Sequence, residues 1–223
     1  MLKKNRIIES IIWLVTYSAL NPILRLFFSV EVAIHPSLLA SPPKNALLIA
    51  NHKSMADPWI IPVMMPVRLF INFSPIRFTG ATRFNSFIRN FLYRIGIIPL
   101  VYFLYNVIKI PREGTTDEKL LPFKEALLRG ETAMFFPEGS MIRGDAMGEF
   151  KRGSAALAHA SKTPIVPISI RYKRDTFRTK CFIRYGAALS IPEELFLNDN
   201  PHFVHASEYL RKKIEDMYQQ NHK

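Results

Sequence analysis

Cysteine is nearly absent: the 223 residues contain only Cys181. A lone cysteine cannot close an internal disulfide, and its scarcity fits a reducing compartment. Cys181 sits in the alternating stretch Lys180-Cys181-Phe182-Ile183-Arg184 and reads as a small packed side chain rather than a nucleophile. Negative charge is also short, with 18 acidic against 30 basic side chains and a net charge of +12. Yet 48% of the residues are apolar, 17 of them Phe. A chain both greasy and basic points to an anionic surface, near which each Lys or Arg contributes about 1 kcal/mol. Nucleic acid is the competing anion. The chain lacks zinc-ligand spacing, an RNP-type signature and a basic recognition helix, so no nucleic-acid partner is expected. Internal repeats and dividing linkers are missing too, and the length suits one sizeable α/β domain.

An uninterrupted run of about 20 apolar residues, which a clean membrane span requires, is also lacking. Lys3, Lys4 and Arg6 precede an apolar stretch from Ile11 to Phe28, but Asn21, Pro22 and Arg25 interrupt it. The basic-then-apolar order is that of a signal peptide, but no small-residue cleavage site follows. The stretch therefore reads as an uncleaved anchor of two short helices sunk into one leaflet. An amphipathic helix folded onto the core is the plainer alternative.

What is present begins with Ala46-Leu47-Leu48-Ile49-Ala50, an apolar run that reads as a buried strand. It leads into Asn51-His52-Lys53-Ser54-Met55-Ala56-Asp57, with Pro58 steering Asp57 away from helical dihedrals. Ligands gather beyond the carboxyl ends of strands in α/β sheets. A histidine there, with a carboxylate a turn away, can act as a base whose tautomer is set by its partner. Taken alone, the pair describes a helix start or a mutually satisfied couple equally well. A second stretch, Phe135-Phe136-Pro137-Glu138-Gly139-Ser140, repeats the pattern of an apolar strand ending in a carboxylate.

Periodicity predicts strands at 30–34, 76–81, 132–136, around Val166-Pro167 and at 180–185. It predicts helices at 85–94, 117–129, 154–161 and 205–219. Residues 95–110 read as a buried strand plus an insertion near a membrane or an acyl chain, and 171–178 as a basic connection.

His-x4-Asp followed by Phe-Pro-Glu-Gly resembles the glycerolipid acyltransferases, specifically the lysophosphatidate acyltransferase group. Ile110-Pro111-Arg112 is similar to that family's arginine-bearing second block, and Ile165-Val166-Pro167-Ile168-Ser169 to its proline-bearing fourth. The resemblance covers residues 51–169. It implies a single α/β domain with a central mixed sheet flanked by helices (31–223), after a membrane-associated helical segment (1–30) on the cytoplasmic face. It also implies transfer of a fatty acyl group from acyl-CoA or acyl carrier protein to the hydroxyl of a lysophospholipid such as 1-acylglycerol 3-phosphate. Membrane lipids are the expected partners, with no cofactor and no metal. A lyso-amino-acid lipid is the alternative acceptor, and a non-catalytic basic membrane-binding protein the alternative class.

On this resemblance His52 is the general base and Asp57 its orienting partner, with direct attack by the hydroxyl and no acyl-enzyme. Arg112 binds the acceptor phosphate. Glu138 binds acceptor hydroxyls or locks a loop arginine. Gly139 lets substrate approach the backbone closely. Ser140 stands where the family carries Thr. Met141 stands in place of an arginine, with Arg143 the nearest substitute, and Lys151 in Lys151-Arg152-Gly153 adds charge.

Overall fold

A computed structural model describes residues 6–80, 86–109, 115–175, 177–197 and 203–220. Its centre is a six-stranded mixed sheet in the order β1-β8-β7-β2-β6-β3. The strands are β1 (Phe28–Ile34), β2 (Leu47–Ala50), β3 (Ile76–Arg77), β6 (Thr132–Phe135), β7 (Ile165–Lys173) and β8 (Thr179–Tyr185). A separate two-stranded ribbon pairs β4 (Thr79–Gly80) with β5 (Ile108–Lys109). β3, β6, β2 and β7 run parallel, β8 turns antiparallel to β7, and β1 lies parallel to β8 at the edge. All four residues of β2 are buried. Both faces of that strand are covered, which is why it reads as an unbroken apolar run.

Alternation along β2 sends Leu48 and Ala50 into one core and Leu47 and Ile49 into the other. The first core takes side chains from α1 (Arg6–Phe27), α2 (Pro36–Ala40), α3 (Asp57–Met64) and α4 (Val67–Phe73). The second takes them from α7 (Thr116–Leu128), α8 (Gly153–Ser161), α9 (Glu194–Leu197) and α10 (Val204–Gln219). Pro62 and the Pro66 that follows α3 keep α3 and α4 short. α7 starts on a Thr115–Glu118 capping box and stops at Gly130, whose φ is +75°.

Three expectations change. First, α1 is one continuous 22-residue helix, not two short ones. Proline removes a backbone bond from a helix interior, but Asn21 beside it is anchored, donating from its side-chain amide to the Val63 carbonyl at 2.7 Å. Trp13 is 1% exposed and packs against Trp59, Phe70, Phe78 and Tyr105. The opposite face, with Ile7, Ile8, Ile11, Leu14 and Val15, is apolar and exposed. The helix is thus folded onto the core without being amphipathic. Second, the expected insertion within 95–110 is helical: α6 (Ile97–Leu104) meets the preceding α5 (Phe87–Arg94) at a 71° bend, neither contains a fully buried residue, and the strand of this run is the short β5, whose Ile108 is buried. Val107 and Ile108, just beyond them, are the residues of this run buried in the cores. Third, Arg171 belongs to β7 and not to a connection, and Asp57 opens α3 because Pro58 fits its first turn, where the missing N–H costs nothing.

Candidate active site

β2 ends at Ala50, and the chain is held there by Asn51. The Asn51 side-chain amide donates to the Ile170 carbonyl at 2.9 Å and accepts from the Ile170 N–H at 2.8 Å, so it imitates one more rung of the sheet. His52 follows, and its ring stacks on Phe136 with centroids 4.3 Å apart. The ring is partly open, with 17% of its side chain exposed, whereas Asp57 is fully buried.

Asp57 is surrounded by donors. Its Oδ2 accepts from His52 Nδ1 at 2.9 Å and from the backbone N–H groups of Lys53 and Ser54 at 2.7 and 2.8 Å. Its Oδ1 accepts from the Tyr172 hydroxyl at 2.7 Å. Burial, reinforced by the charge of Asp57, pushes the Tyr172 hydroxyl far above its ordinary pKa, so it stays a donor. Cys181 is near the same carboxylate. Burial first and Asp57 second push its thiol up to about 12, which leaves no thiolate at neutral pH. With Nδ1–H committed to Asp57, the lone pair of His52 is on Nε2, the arrangement of a general base.

Glu138 is 3% exposed and turned inward. Its Oε2 accepts from the His52 N–H at 2.8 Å and its Oε1 from the Gly148 N–H at 3.0 Å. In return the Ile142 N–H donates to the His52 carbonyl at 2.9 Å. Glu138 therefore ties the histidine backbone to the loop that follows, and among the described residues its two oxygens take these backbone N–H groups rather than an arginine. Gly139, at φ +71°, cannot be replaced freely: a Cβ there would lie 2.7 Å from Lys151 Nζ. Ser140, Met141 and Arg143 lie exposed on the loop. Arg112 lies outside the described residues, as do Lys3 and Lys4. Ser54 is a turn residue whose hydroxyl accepts from the Ala56 N–H at 3.2 Å.

Sequence reasoning passed over several participants. Lys53 Nζ donates to the Gly144 carbonyl at 3.0 Å and to that of Ala146, and lies 5.3 Å from the Tyr218 ring. Arg171, also over Tyr218, pairs with Asp145 at 3.3 Å. These contacts join residues far apart in the chain, and no local pattern marks them. Tyr172 alone left a trace, an aromatic just past a strand's apolar run. Among the described residues no group of three His, Cys, Asp or Glu side chains could hold a metal ion.

Known proteins resemble this chain in sequence and in fold. Over 149 residues the chain is 27% identical to a 1-acyl-sn-glycerol-3-phosphate acyltransferase of Borreliella burgdorferi, covering 66% of this chain and 53% of that protein. It is 30% identical over 135 residues to a Mycoplasma genitalium protein named "Probable 1-acyl-sn-glycerol-3-phosphate acyltransferase", covering 58% and 45%. The chain thus spans about half the length of the curated relatives it matches. The crystal structure of the 1-acyl-sn-glycerophosphate acyltransferase PlsC from Thermotoga maritima shares the fold, with a TM-score of 0.63 at 17% identity over 99% of this chain and 84% of that one. Residues 33–171, which contain His52, Asp57 and Glu138, match the Acyltransferase family profile, and the chain belongs to that family.

Proposed function

We propose that the protein transfers a fatty acyl group from a pantetheine thioester, acyl-CoA or acyl carrier protein, to the free hydroxyl of a lysophosphatidate-type lipid. The observation that carries this is the His52 Nδ1–Asp57 contact of 2.9 Å, with Nε2 left as the base. Nε2 takes the hydroxyl proton as the oxygen attacks the thioester carbonyl. Asp57 stabilises the imidazolium, the C–S bond breaks, and the thiolate leaves with the proton that His52 returns. No side-chain nucleophile enters, which is consistent with the raised pKa of Cys181.

The reaction takes place at the cytoplasmic membrane surface. The exposed apolar face of α1 and the bent pair α5–α6 support this, since contiguous exposed apolar surface of this size marks an interaction site. The names of the curated relatives favour lysophosphatidate as acceptor. Met141, exposed on the loop at the position where the family pattern in the sequence resemblance reads arginine, favours instead a lyso-lipid without a phosphomonoester, such as a lyso-amino-acid lipid. The test is thiol release by purified full-length protein offered acyl-CoA or acyl carrier protein thioester and a panel of lyso-lipids. Turnover restricted to lysophosphatidate supports the first acceptor. Release with none of the acceptors, from either donor, would refute acyl transfer.

A further inference from the structure

A cavity of about 1080 Å³ lies on the second-core side of the sheet, behind the segment that carries Glu138. Phe135 and Phe136 define the two sides. Phe136 stacks on His52 and packs with the first core, whereas Phe135 packs with the second core and lines the cavity. Four cations, Lys119, Lys151, Arg152 and Arg211, face two carboxylates, Glu149 and Glu208, and Arg211 already holds Glu208 at 3.1 Å. The first residues of α7, α8 and α10 all reach the cavity wall. α7 is capped by a side chain, whereas α8 and α10 are not. Ser207, in the first turn of α10, also lines the cavity.

We propose that this cavity binds the phosphate-bearing end of the acyl donor, a site distinct from the His52 centre. The proposal rests on the acyl-transfer reading. The acceptor's phosphate is only a few bonds from the reacting hydroxyl and cannot lie across the sheet from His52. The donor's phosphates lie a whole pantetheine arm from the thioester, long enough to pass over the sheet's carboxyl edge. Lys151 marks the passage: it lines the cavity, its N–H donates to the Pro137 carbonyl at 2.9 Å, and its ammonium lies across Gly139 at the lip of the active site. The volume exceeds what a bare phosphate needs and is of the size that holds a nucleotide.

The test uses full-length enzyme in detergent with two phosphate probes, adenosine 3′,5′-bisphosphate and 4′-phosphopantetheine, titrated calorimetrically. Donor and acceptor kinetics are measured beside the titrations. For a CoA donor, the nucleotide binds wild type, and Lys119→Glu/Arg152→Glu weakens it by about tenfold or more for each charge-assisted hydrogen bond removed. The KM for acyl-CoA rises in parallel while the acceptor's KM holds. For an acyl-carrier-protein donor, phosphopantetheine binds in place of the nucleotide, and the same variant raises the KM for acyl carrier protein. Lys119→Gln/Arg152→Gln gives the same pattern in milder form, in case the charge reversal disturbs folding. Binding of neither probe, unchanged affinity in both variants, or a rise confined to the acceptor's KM would overturn the site. His52→Ala must still bind the probe as wild type does, so failure of the cavity is separable from failure of the chemistry.

Discussion

His52 and Asp57 divide their labour unequally in the proposed mechanism. Asp57 is buried with four donors on its two oxygens, which fix the carboxylate against the His52 ring. On that mechanism Asp57 orients the imidazole and His52 moves the proton. His52→Ala is expected to lose at least ~10²-fold in turnover, and Asp57→Asn a comparable amount by releasing the tautomer. Steady-state kinetics beside thermal melting checks both, and near-full activity in His52→Ala would sink the mechanism. Glu138 makes a different prediction. Glu138→Gln places an amide NH2 against a backbone N–H on one side, stranding a buried donor at about 1–3 kcal/mol. Melting temperature and turnover should therefore fall together. A fall in acceptor affinity alone, with unchanged melting, would return Glu138 to a substrate-binding role.

The helices carry the membrane question. Removing the first 27 residues would take Trp13 and the buried Glu9 with them, so truncation would damage the core as well as the anchor. The informative substitutions are on exposed faces. Ile11→Glu/Val15→Glu on α1 and Leu100→Glu/Phe103→Glu on α6 replace side chains that are 55%, 63%, 56% and 58% exposed, and the variants should fold. A carboxylate held in hydrocarbon costs about 2.5–3.5 kcal/mol. Each pair should therefore shift full-length protein from floating with anionic vesicles toward the soluble fraction. Release by the α1 pair but not the α6 pair would make α1 the anchor and leave the bent helices on the water side. Arg89 Nη1, 2.7 Å from Met55 Sδ, places α5 beside the turn that follows His52.

Across the whole molecule, one buried ion cluster ties α1 to the sheet. Arg77 on β3 pairs with Glu9 of α1 and with Glu131 before β6, each at 2.5 Å. Breaking such a cluster from its centre leaves charges buried without a partner, so Arg77→Ala is expected to cost about 3–5 kcal/mol. The same cluster sets an acid limit. Burial alone would raise the Glu131 pKa, but hydrogen bonds from Arg77 and Arg129 outweigh it and hold the group below its ordinary 4.5. Its stabilisation is therefore complete above pH 4.5 and is lost as pH falls through the lower folded value. Denaturant melts from neutral pH down into the acid range below that value should show a steeper acid loss in wild type than in Glu131→Gln. Equal slopes would remove Glu131 from the account.

Local pattern was enough for the strand-end placement of His52, the existence of α7, and the family to which residues 33–171 belong. Those features depend on side chains near in the chain, where periodicity, capping and spacing act. What remained hidden depends on contacts between distant segments. Pro22 suggested a broken anchor, but Asn21 reaching Val63 keeps α1 whole and on the core. The apolar run at 95–110 read as a buried strand plus an insertion; the strand is the short β5, and the insertion is the helix α6, which touches the first core through Tyr102 without burying any residue fully. Glu138 looked like a substrate ligand because a strand end in one dimension does not show which way a side chain turns. The fold turns it inward, onto the N–H groups of His52 and Gly148, because those donors require an acceptor and its carboxylate is the one placed to supply it.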